Sequence, residues 1–261
     1  MMDLQLTGKT ALVTGASRGI GLAVVRALVA EGATVIGCAR TMSSELADSG
    51  AEAVLGDLST ATGPSEVVRA VLEQHGDLDI LINNVGGGDA ADLRGFFDYD
   101  DDLWHKAFDL NLFAAVRTCR AAVSSVVRRR GLVVNISSLG ARMPHTGPVP
   151  YTTAKAALTA YSKALAEELG PQGVRVVTVT PGPTRTPVWT DPDGIGSMLA
   201  AAQGISHADL LARLASDSGI LSGQLVEPEH VASLIAYLAS PTAAGITGQE
   251  YLVDGGALKS A

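Results

Sequence analysis

A tyrosine and a lysine stand four residues apart in "VPYTTAKAALTAYSKALAEEL", at Tyr151 and Lys155. Positions i and i+4 of a helix lie one turn apart on the same face, so both side chains are expected to point the same way. A phenol with an ammonium group beside it can act as an acid or base in a reaction. By itself, however, the spacing is more typical of a surface helix with an amphipathic tyrosine and a solvated lysine.

Three glycines follow the first apolar run of the chain in "TGASRGIG", at Gly15, Gly19 and Gly21. Glycine permits a tight turn and a close approach of the backbone, and the N-terminus of a following helix offers N–H groups to a phosphate. A nucleotide-binding fold requires such a turn after its first strand, where it opens the first helix. The alternative is an ordinary loop between a strand and a helix.

Short apolar runs alternate with helical patterns along the chain. Strands are predicted for residues 10–15, 33–39, 51–57, 78–84, 131–138, 173–182 and 249–256. Helices are predicted for residues 19–31, 65–76, 151–170 and 228–240, and residues 102–130 are expected to form one long helix or a broken pair. Strands without clean alternation, separated by helices, indicate a parallel sheet that is covered on both faces. The expected fold is α/β: a single domain over residues 1–261 with a doubly wound, Rossmann-like parallel sheet of about seven strands.

Residues 183–225 do not follow this alternation of strands and helices. They begin with "PTRTPVWTDPDGIGSM", continue with a helical stretch and end in "SGILSGQLVEP". The segment follows the carboxyl end of a strand, and an insertion of this length is usually a lid or a binding loop. We therefore predict a substrate lid at 183–225, with a surface excursion that carries its own small helix as the alternative.

The composition restricts the class of protein. The 261 residues are 47% hydrophobic and carry a net charge of −8, which argues against nucleic acid or an anionic membrane as the main partner. No apolar run approaches the ~18 residues of a membrane span, and the start "MMDLQLTGKT" shows no secretory signal. Cys38 and Cys119 stand far apart and suit a reducing cytoplasm. The five histidines show no metal-ligand spacing, so we expect no metal site.

Further motifs bring a resemblance into view. Together with "NNVG" (83–86), "NISS" (135–138) and "PG" (181–182), the glycine turn and "YTTAK" resemble the short-chain dehydrogenase/reductase family, of the single-domain type. The resemblance runs from about residue 6 to residue 257 and includes "ITGQEYLVDGG", which looks like the family's last strand. The family usually has NNAG, and this chain has Val85 in place of the alanine. The larger residue affects packing near the adenosine but removes no chemical group. The resemblance also implies a homodimer or homotetramer.

The resemblance implies four catalytic residues: Asn111, Ser138, Tyr151 and Lys155. A free tyrosine has a pKa of about 10, and a nearby ammonium group favours the phenolate, so Lys155 is expected to lower the pKa of Tyr151. In the family this lysine also hydrogen-bonds the nicotinamide ribose. Ser138 stands at the family's spacing before Tyr151 and should bind the carbonyl oxygen as charge develops, whereas Ser137 should point to the opposite face of the strand. In the family, the asparagine that matches Asn111 holds a water that relays protons to the lysine. The alternative for Asn111 is a tolerated polar residue in a helix.

The same resemblance implies the contacts of a nucleotide cofactor. Asp57 resembles the aspartate that contacts adenine, with a helix or turn cap as the alternative. Residues after the fourth strand would lie along the adenosine, and residues after the sixth would line the nicotinamide. The expected cofactor-binding residues are Gly15, Ser17, Arg18, Gly19, Ile20, Gly21, Arg40, Asp57, Leu58, Asn84, Gly86, Tyr151, Lys155, Pro181, Gly182, Thr184 and Thr186.

The end of the second strand, "ATVIGCARTM", favours NADP(H) over NAD(H). Ala39 stands where NAD-preferring members carry an acid that binds the ribose hydroxyls, and Arg40 follows it directly. With Arg18 in the glycine turn, two guanidinium groups are available for a 2′-phosphate. The alternative is that both arginines are merely exposed.

We therefore predict an NADP(H)-dependent oxidoreductase that reduces a ketone or oxidises a secondary alcohol, with no nucleic-acid or membrane partner. A 3-oxoacyl thioester reductase is one specific form of this hypothesis and rests on analogy. The rival hypothesis is a non-catalytic NADP(H)-binding regulatory protein on the same fold, which would be free to lose the tyrosine or the lysine. Met143, His145 and Trp189 are candidates for the substrate pocket and equally for packing.

Overall fold

Parallel strands form the centre of the molecule. The computed structural model describes residues 3–87 and 95–259. In chain order these residues contain the strands β1 (Thr10–Thr14), β2 (Thr34–Ala39), β3 (Glu52–Leu55), β4 (Ile80–Asn83), β5 (Leu132–Ile136), β6 (Arg175–Pro181) and β7 (Glu250–Val253). They pair in the order β3-β2-β1-β4-β5-β6-β7, and every pairing is parallel. The predicted seven-stranded, doubly wound α/β sheet is confirmed.

Helices cover both faces of this sheet. They are α1 (Gly19–Ala30), α2 (Ser44–Ala47), α3 (Gly63–His75), α4 (Asp101–Phe108), α5 (Ala114–Arg128), α6 (Val149–Leu169), α7 (Pro187–Thr190), α8 (Ile195–Ala202), α9 (His207–Asp217) and α10 (Pro228–Ala239). Val13 belongs to a buried cluster with residues of α1 and α10, whereas its neighbour Leu12 belongs to a second cluster with residues of α3 and α5. Successive side chains of a strand point to opposite faces, so each central strand contributes to two apolar cores.

The order of the strands reverses between β1 and β4. In an open α/β sheet the crevice at such a reversal, outside the carboxyl ends of the strands, is where ligands bind. Thr14 ends β1 and Asn83 ends β4, and both are fully or almost fully buried. A ligand is therefore expected near the loops that follow these two strands and β5.

The predicted helix over residues 102–130 is a single helical run with an irregular turn in its middle. Asp109–Phe113 form a π-helical turn that joins α4 to α5 without a break. Such a turn accommodates one extra residue and is common at functional sites. Neither the unbroken α-helix nor the broken pair expected from the sequence describes this element fully.

The same run, Asp101–Arg128, is long and apolar enough to cross a membrane when judged by length and composition alone. The sequence predicts no membrane span, and this test by length and composition does not overturn that prediction, because a buried core helix passes it as well. The run is partly buried, and α5 packs against α3 and the strands β4 and β5. A core helix that covers a sheet has these properties.

Residues 183–225 are more helical than the sequence indicates, because α7 and α8 occupy the stretch expected to be a loop. The two ends of the segment meet at a neck. Thr184 and Val226 form a parallel bridge, and the amide of Arg185 donates to the carbonyl of Val226 at 2.8 Å. The Arg185 side chain also pairs with Glu227 at 2.8 Å. The two ends of the segment are thus held together.

Candidate active site

Ser138 and Tyr151 meet beyond the carboxyl end of β5. Ser138 lies two residues after β5, and its hydroxyl oxygen accepts a hydrogen bond from the amide of Gly140 at 3.1 Å. Tyr151 stands in the first turn of α6, and its phenol lies close enough to Ser138 for that side chain to lower its pKa. The hydroxyl of Ser137 faces away, toward Thr159 at 2.7 Å and the carbonyl of Lys155 at 3.2 Å. The structure therefore brings Ser138, and not Ser137, to the tyrosine.

Lys155 is almost fully buried, with 3% of the residue exposed. Its ammonium nitrogen donates to the carbonyl of Ile136 at 2.9 Å and lies 6.0 Å from the centre of the Tyr151 ring. Burial disfavours the charged form and lowers the pKa of Lys155 from 10.5 to about 8. The amine can thus gain or lose a proton near neutral pH.

The pKa of Tyr151 lies above its ordinary value. Burial of the phenol is the larger cause, and the nearby Ser138 side chain opposes it without cancelling it. The prediction that Lys155 lowers the pKa of Tyr151 is therefore wrong for this arrangement. The physical reason is that desolvation penalises the phenolate more than the side chains around it stabilise it.

Asn111 sits in the π-helical turn and is 2% exposed. Its amide nitrogen donates to the carbonyl of Gly87 at 2.9 Å and to the carbonyl of Ala107 at 3.0 Å. Its amide oxygen accepts from the backbone N–H of Gly87 at 2.8 Å. A buried amide with these partners fixes the loop after β4 against the helix, so Asn111 is more than a tolerated polar residue.

Gly86 is the point at which this loop passes the lysine. A Cβ atom placed on Gly86 would lie 2.8 Å from Lys155 Nζ and 2.9 Å from Asn111 Oδ1. Contacts that short do not occur for real Cβ atoms, so a larger residue here would displace the Lys155 amine or the Asn111 amide. The backbone of Gly86, the amine and the amide oxygen therefore form one crowded cluster.

The glycine turn after β1 is held by the loop after β4. Gly15 adopts φ +67°, and a Cβ atom there would lie 2.9 Å from Asn84 Nδ2. This amide nitrogen donates to the carbonyls of Thr14 and Gly15, at 2.9 and 3.1 Å. The hydroxyl of Thr14, which the sequence analysis does not single out, accepts from the amides of Asn84 and Val85. A threonine directly before the glycine turn is the feature of the sequence that indicates these hydrogen bonds between the two loops.

The N-terminus of α1 has the properties of a phosphate site. Arg18 is its N-cap, yet no described side chain caps the helix, and the first turn holds no acidic residue. By contrast, Ser43 and Asp100 cap α2 and α4 with their side chains. Free N–H groups at the positive end of a helix dipole favour an anion. The glycine turn and α1 therefore fit the pyrophosphate of a dinucleotide such as NADP(H).

The carboxyl ends of β2 and β3 lie side by side. Arg40 follows β2 and is exposed, and Ala39 before it is buried. The Asp57 carboxylate accepts from the amide and the hydroxyl of Ser59, at 2.9 and 2.7 Å, and these bonds lower its pKa. Asp57 therefore caps its own turn, which is the alternative interpretation of this residue, and Leu58 beside it is buried.

The segment after β6 faces the glycine turn. The amide of Gly182 donates to the carbonyl of Val253, and the hydroxyl of Thr184 donates to the carbonyl of Gly182 at 2.9 Å. The methyl group of Thr186 lies 3.3 Å from where Gly19 would carry a Cβ atom. Residues 182–186 thus form the wall opposite α1.

Several residues near Ser138 form an apolar wall that the sequence does not reveal. Leu139, Ile220 and Leu225 are buried in one cluster, and Met143 packs against it. Met143 is therefore a packing residue, whereas His145 is exposed. The carbonyl of Trp189 bonds His207 Nε2 at 2.7 Å and so joins α7 to α9.

Within residues 3–87 and 95–259, no group of three or more His, Cys, Asp or Glu side chains is placed to hold a metal ion. The chemistry of the crevice instead depends on a buried amine, a phenol, a hydroxyl and free helix amides. These groups suit an anionic nucleotide and a proton transfer.

Comparison with known proteins agrees with this geometry. Residues 15–257 match a family model described as Enoyl-(Acyl carrier protein) reductase. A putative ketoacyl reductase of the monensin polyketide synthase from Streptomyces virginiae is 36% identical, over 97% of this chain and 98% of the relative. A 3-oxoacyl-[acyl-carrier-protein] reductase from Vibrio harveyi is 33% identical, with the same coverage of each chain.

A solved structure resembles the chain over its whole length. L-sorbose reductase from Gluconobacter frateurii, in complex with NADPH and L-sorbose, has a TM-score of 0.90 and 31% identity, with 100% of both chains covered. The sorbose reductase therefore shares the fold over the full length of the chain, and its structure contains bound NADPH.

Proposed function

Because the chain belongs to the short-chain dehydrogenase/reductase family and is an NADP-dependent ketoreductase, we propose that the groups around Tyr151 carry out its reaction. The observation that supports this most directly is the burial of the Lys155 amine one turn from Tyr151, whose phenol is close enough to Ser138 for that side chain to lower its pKa. The rival hypothesis of a non-catalytic protein finds no support among full-length relatives that are named reductases.

In the proposed reaction, Tyr151 donates its proton to the oxygen of the substrate carbonyl. NADPH, when bound, supplies the hydride to the carbonyl carbon. Ser138 holds the same oxygen and stabilises the charge that develops on it. The raised pKa of Tyr151 keeps the phenol protonated at neutral pH, which is the form that reduction requires.

Lys155 then returns a proton toward the tyrosine. One N–H of the amine is used by the carbonyl of Ile136, so the others are available to face Gly86 and Asn111. Asn111 fixes the loop beside the amine and, in our proposal, anchors the route by which the proton is replaced. Lys155 also provides a donor for the ribose hydroxyls of the cofactor.

The alkaline limit of the reaction should reflect Lys155. Its lowered pKa of about 8 means that the ammonium form is lost as pH rises through 8, whereas Tyr151 stays protonated there. We expect kcat/KM for ketone reduction to fall with an apparent pKa near 8, and the Lys155→Arg variant to lose this limb. A profile of kcat/KM from pH 6 to 10 at saturating NADPH tests this; a limb identical in both proteins would contradict it.

We also propose the cofactor contacts. The glycine turn (Gly15, Ser17, Arg18, Gly19, Ile20 and Gly21) and α1 would hold the pyrophosphate, and Arg40 and Arg18 the 2′-phosphate. Asp57, Leu58, Asn84 and Gly86 would lie along the adenosine. Pro181, Gly182, Thr184 and Thr186 would line the nicotinamide. In support, these residues flank the crevice where the strand order reverses.

We propose that the substrate is a 3-oxoacyl thioester. The apolar cluster of Leu139, Ile220 and Leu225 beside Ser138 suits an acyl chain, and two relatives similar over almost their full length are named ketoacyl or 3-oxoacyl reductases. A polyhydroxy ketone is the second candidate, because the similar solved reductase holds L-sorbose.

A substrate panel separates these candidates. Initial rates are measured with NADPH for acetoacetyl-CoA, for 3-oxoacyl N-acetylcysteamine thioesters of increasing length and for L-sorbose. We expect kcat/KM to be highest for the thioesters. Turnover of L-sorbose alone would replace the acyl assignment, and NADPH binding without turnover of any ketone would contradict the proposed active site.

Residues 183–225 are proposed to act as a lid over the substrate within a single-domain protein. We expect their amide hydrogens to exchange faster in the free protein and to become protected when cofactor and substrate are both bound. Hydrogen exchange with mass spectrometry measures this, with α3 as an internal reference far from the crevice. Unchanged protection across α7 and α8 would count against a lid.

We propose a homodimer or homotetramer that works in the cytoplasm on a small molecule, without a nucleic-acid or membrane partner. A cleft of about 610 Å³ between α5 and α6, with Val123 and Leu165 in its wall, is a surface that a second copy could cover. Burial raises the pKa of both free thiols, to about 12 for Cys38 and about 11 for Cys119. Two unreactive free thiols suit a reducing compartment.

A further inference from the structure

The lid segment has one end that is firmly held. Ile220 and Leu225 pack with Leu139 and Ala257 in the apolar cluster beside the active site. Lys259 donates to the carbonyls of Gly219 and Gly256 and so fastens the C-terminal end of the segment. The neck at Thr184 and Val226 is also tied, whereas in the stretch that carries α7 and α8 the helix α7 packs against α8, and α8 against α9.

That stretch reaches the glycine turn through a single charged contact. The carboxylate of Asp191, directly after α7, lies 3.8 Å from the guanidinium group of Arg18. In the described part of the chain, this is the one salt bridge that joins residues 187–217 to the rest of the protein. The Arg18 side chain is 68% exposed and that of Asp191 49%, so both partners are free to rearrange.

Arg18 is also one of two guanidinium groups available for the 2′-phosphate of NADP(H). A carboxylate and a phosphate dianion are both anions, and they compete for the same N–H donors at the edge of a guanidinium group. An exposed ion pair contributes little to stability, whereas a phosphate offers more charge and more acceptor oxygens. The phosphate should therefore displace Asp191 from Arg18 at a small cost.

We propose that Asp191 is a specificity-determining residue for the cofactor, because its carboxylate occupies Arg18 until a 2′-phosphate displaces it. This inference rests on the proposed contact between Arg18 and NADP(H). It has two consequences. Asp191 weakens the binding of NADP(H) but not of NAD(H), which lacks the phosphate, and the arrival of that phosphate frees the turn between α7 and α8 from the glycine turn.

The test is binding by isothermal titration calorimetry to the full chain, with NADPH, NADH and 2′,5′-ADP as ligands. We expect Asp191→Asn to tighten the binding of NADPH and 2′,5′-ADP about two- to fivefold and to leave NADH unchanged. Asp193→Asn is the matched control, because it removes the same charge from an exposed residue of the same turn that makes no salt bridge among the described residues. Unchanged binding in Asp191→Asn, or an equal gain in both variants, would overturn the proposal.

The Arg18→Ala variant separates this proposal from the cofactor assignment beneath it. If Arg18 binds the phosphate, Arg18→Ala weakens NADPH and not NADH, and adding Asp191→Asn to it changes nothing further. A gain from Asp191→Asn that persists without Arg18 would overturn the role of Asp191 alone. Equal weakening of NADPH and NADH by Arg18→Ala would overturn the cofactor assignment itself, and the proposed role of Asp191 with it.

Discussion

Tyr151→Phe should lower kcat for ketone reduction by about 100-fold or more while NADPH still binds with nearly its normal affinity. The substitution removes only the hydroxyl, so the ring keeps its place in α6 and the buried Lys155 keeps its bond to the carbonyl of Ile136. What is lost is the proton that the substrate oxygen must receive. Initial rates with a ketone substrate and fluorescence titration with NADPH measure the two properties separately.

Tyr161→Phe provides a matched control for this loss. Tyr161 stands ten residues further along α6, about 15 Å along the helix axis, and its phenol lies near Cys119 of α5. Removal of this hydroxyl should leave kcat within about twofold, because it touches neither the substrate nor the lysine. Retention of most activity by Tyr151→Phe, or an equal loss in both variants, would remove Tyr151 from the proposed reaction.

Arg40→Ala should raise KM for NADPH by one to two orders of magnitude and leave KM for NADH nearly unchanged. Arg40 follows β2 directly, is exposed and has the buried Ala39 before it instead of an acid. A charged hydrogen bond to the 2′-phosphate contributes about 1.5–3 kcal/mol, which corresponds to this change in KM. NADH has no 2′-phosphate, so the same loss has no counterpart there.

Arg26→Ala tests whether net charge alone explains such a result. Arg26 is an exposed arginine on α1, and its removal changes the charge of the chain by the same amount. We expect KM for both cofactors to change by less than about twofold in this variant. Equal losses of NADPH and NADH in Arg40→Ala, or faster turnover of the wild type with NADH, would show that Arg40 does not select the phosphate.

The sheet could be predicted from the sequence because its strands are buried on both faces. Leu12 and Val13 pack into different apolar clusters, so the strand reads as a continuous apolar run that no surface helix would show. The position of Ser138 was equally accessible, because the two-residue period of a strand separates it from Ser137. In both cases a local pattern carries the information.

The π-helical turn at Asn111 could not be predicted, because hydrophobic periodicity assumes one helical period. An extra residue shifts the phase of that pattern, which is why the sequence suggested either a long helix or two helices. The pKa of Tyr151 was predicted in the wrong direction for a related reason. Burial depends on which elements close over the phenol, and spacing along α6 carries no such information. The small helices α7 and α8 were missed because "PDG" and its neighbours read as turn residues.

The buried Lys155 also affects the free energy of unfolding. Its pKa is about 8 in the folded protein against 10.5 for an exposed lysine, so the folded state binds fewer protons between those pH values. Below pH 8 this side chain therefore destabilises the fold by about 3 kcal/mol, and the penalty disappears as pH rises from 8 to 10.5. At neutral pH, part of the stability contributed by the two apolar cores offsets the cost of keeping an ionisable amine away from water.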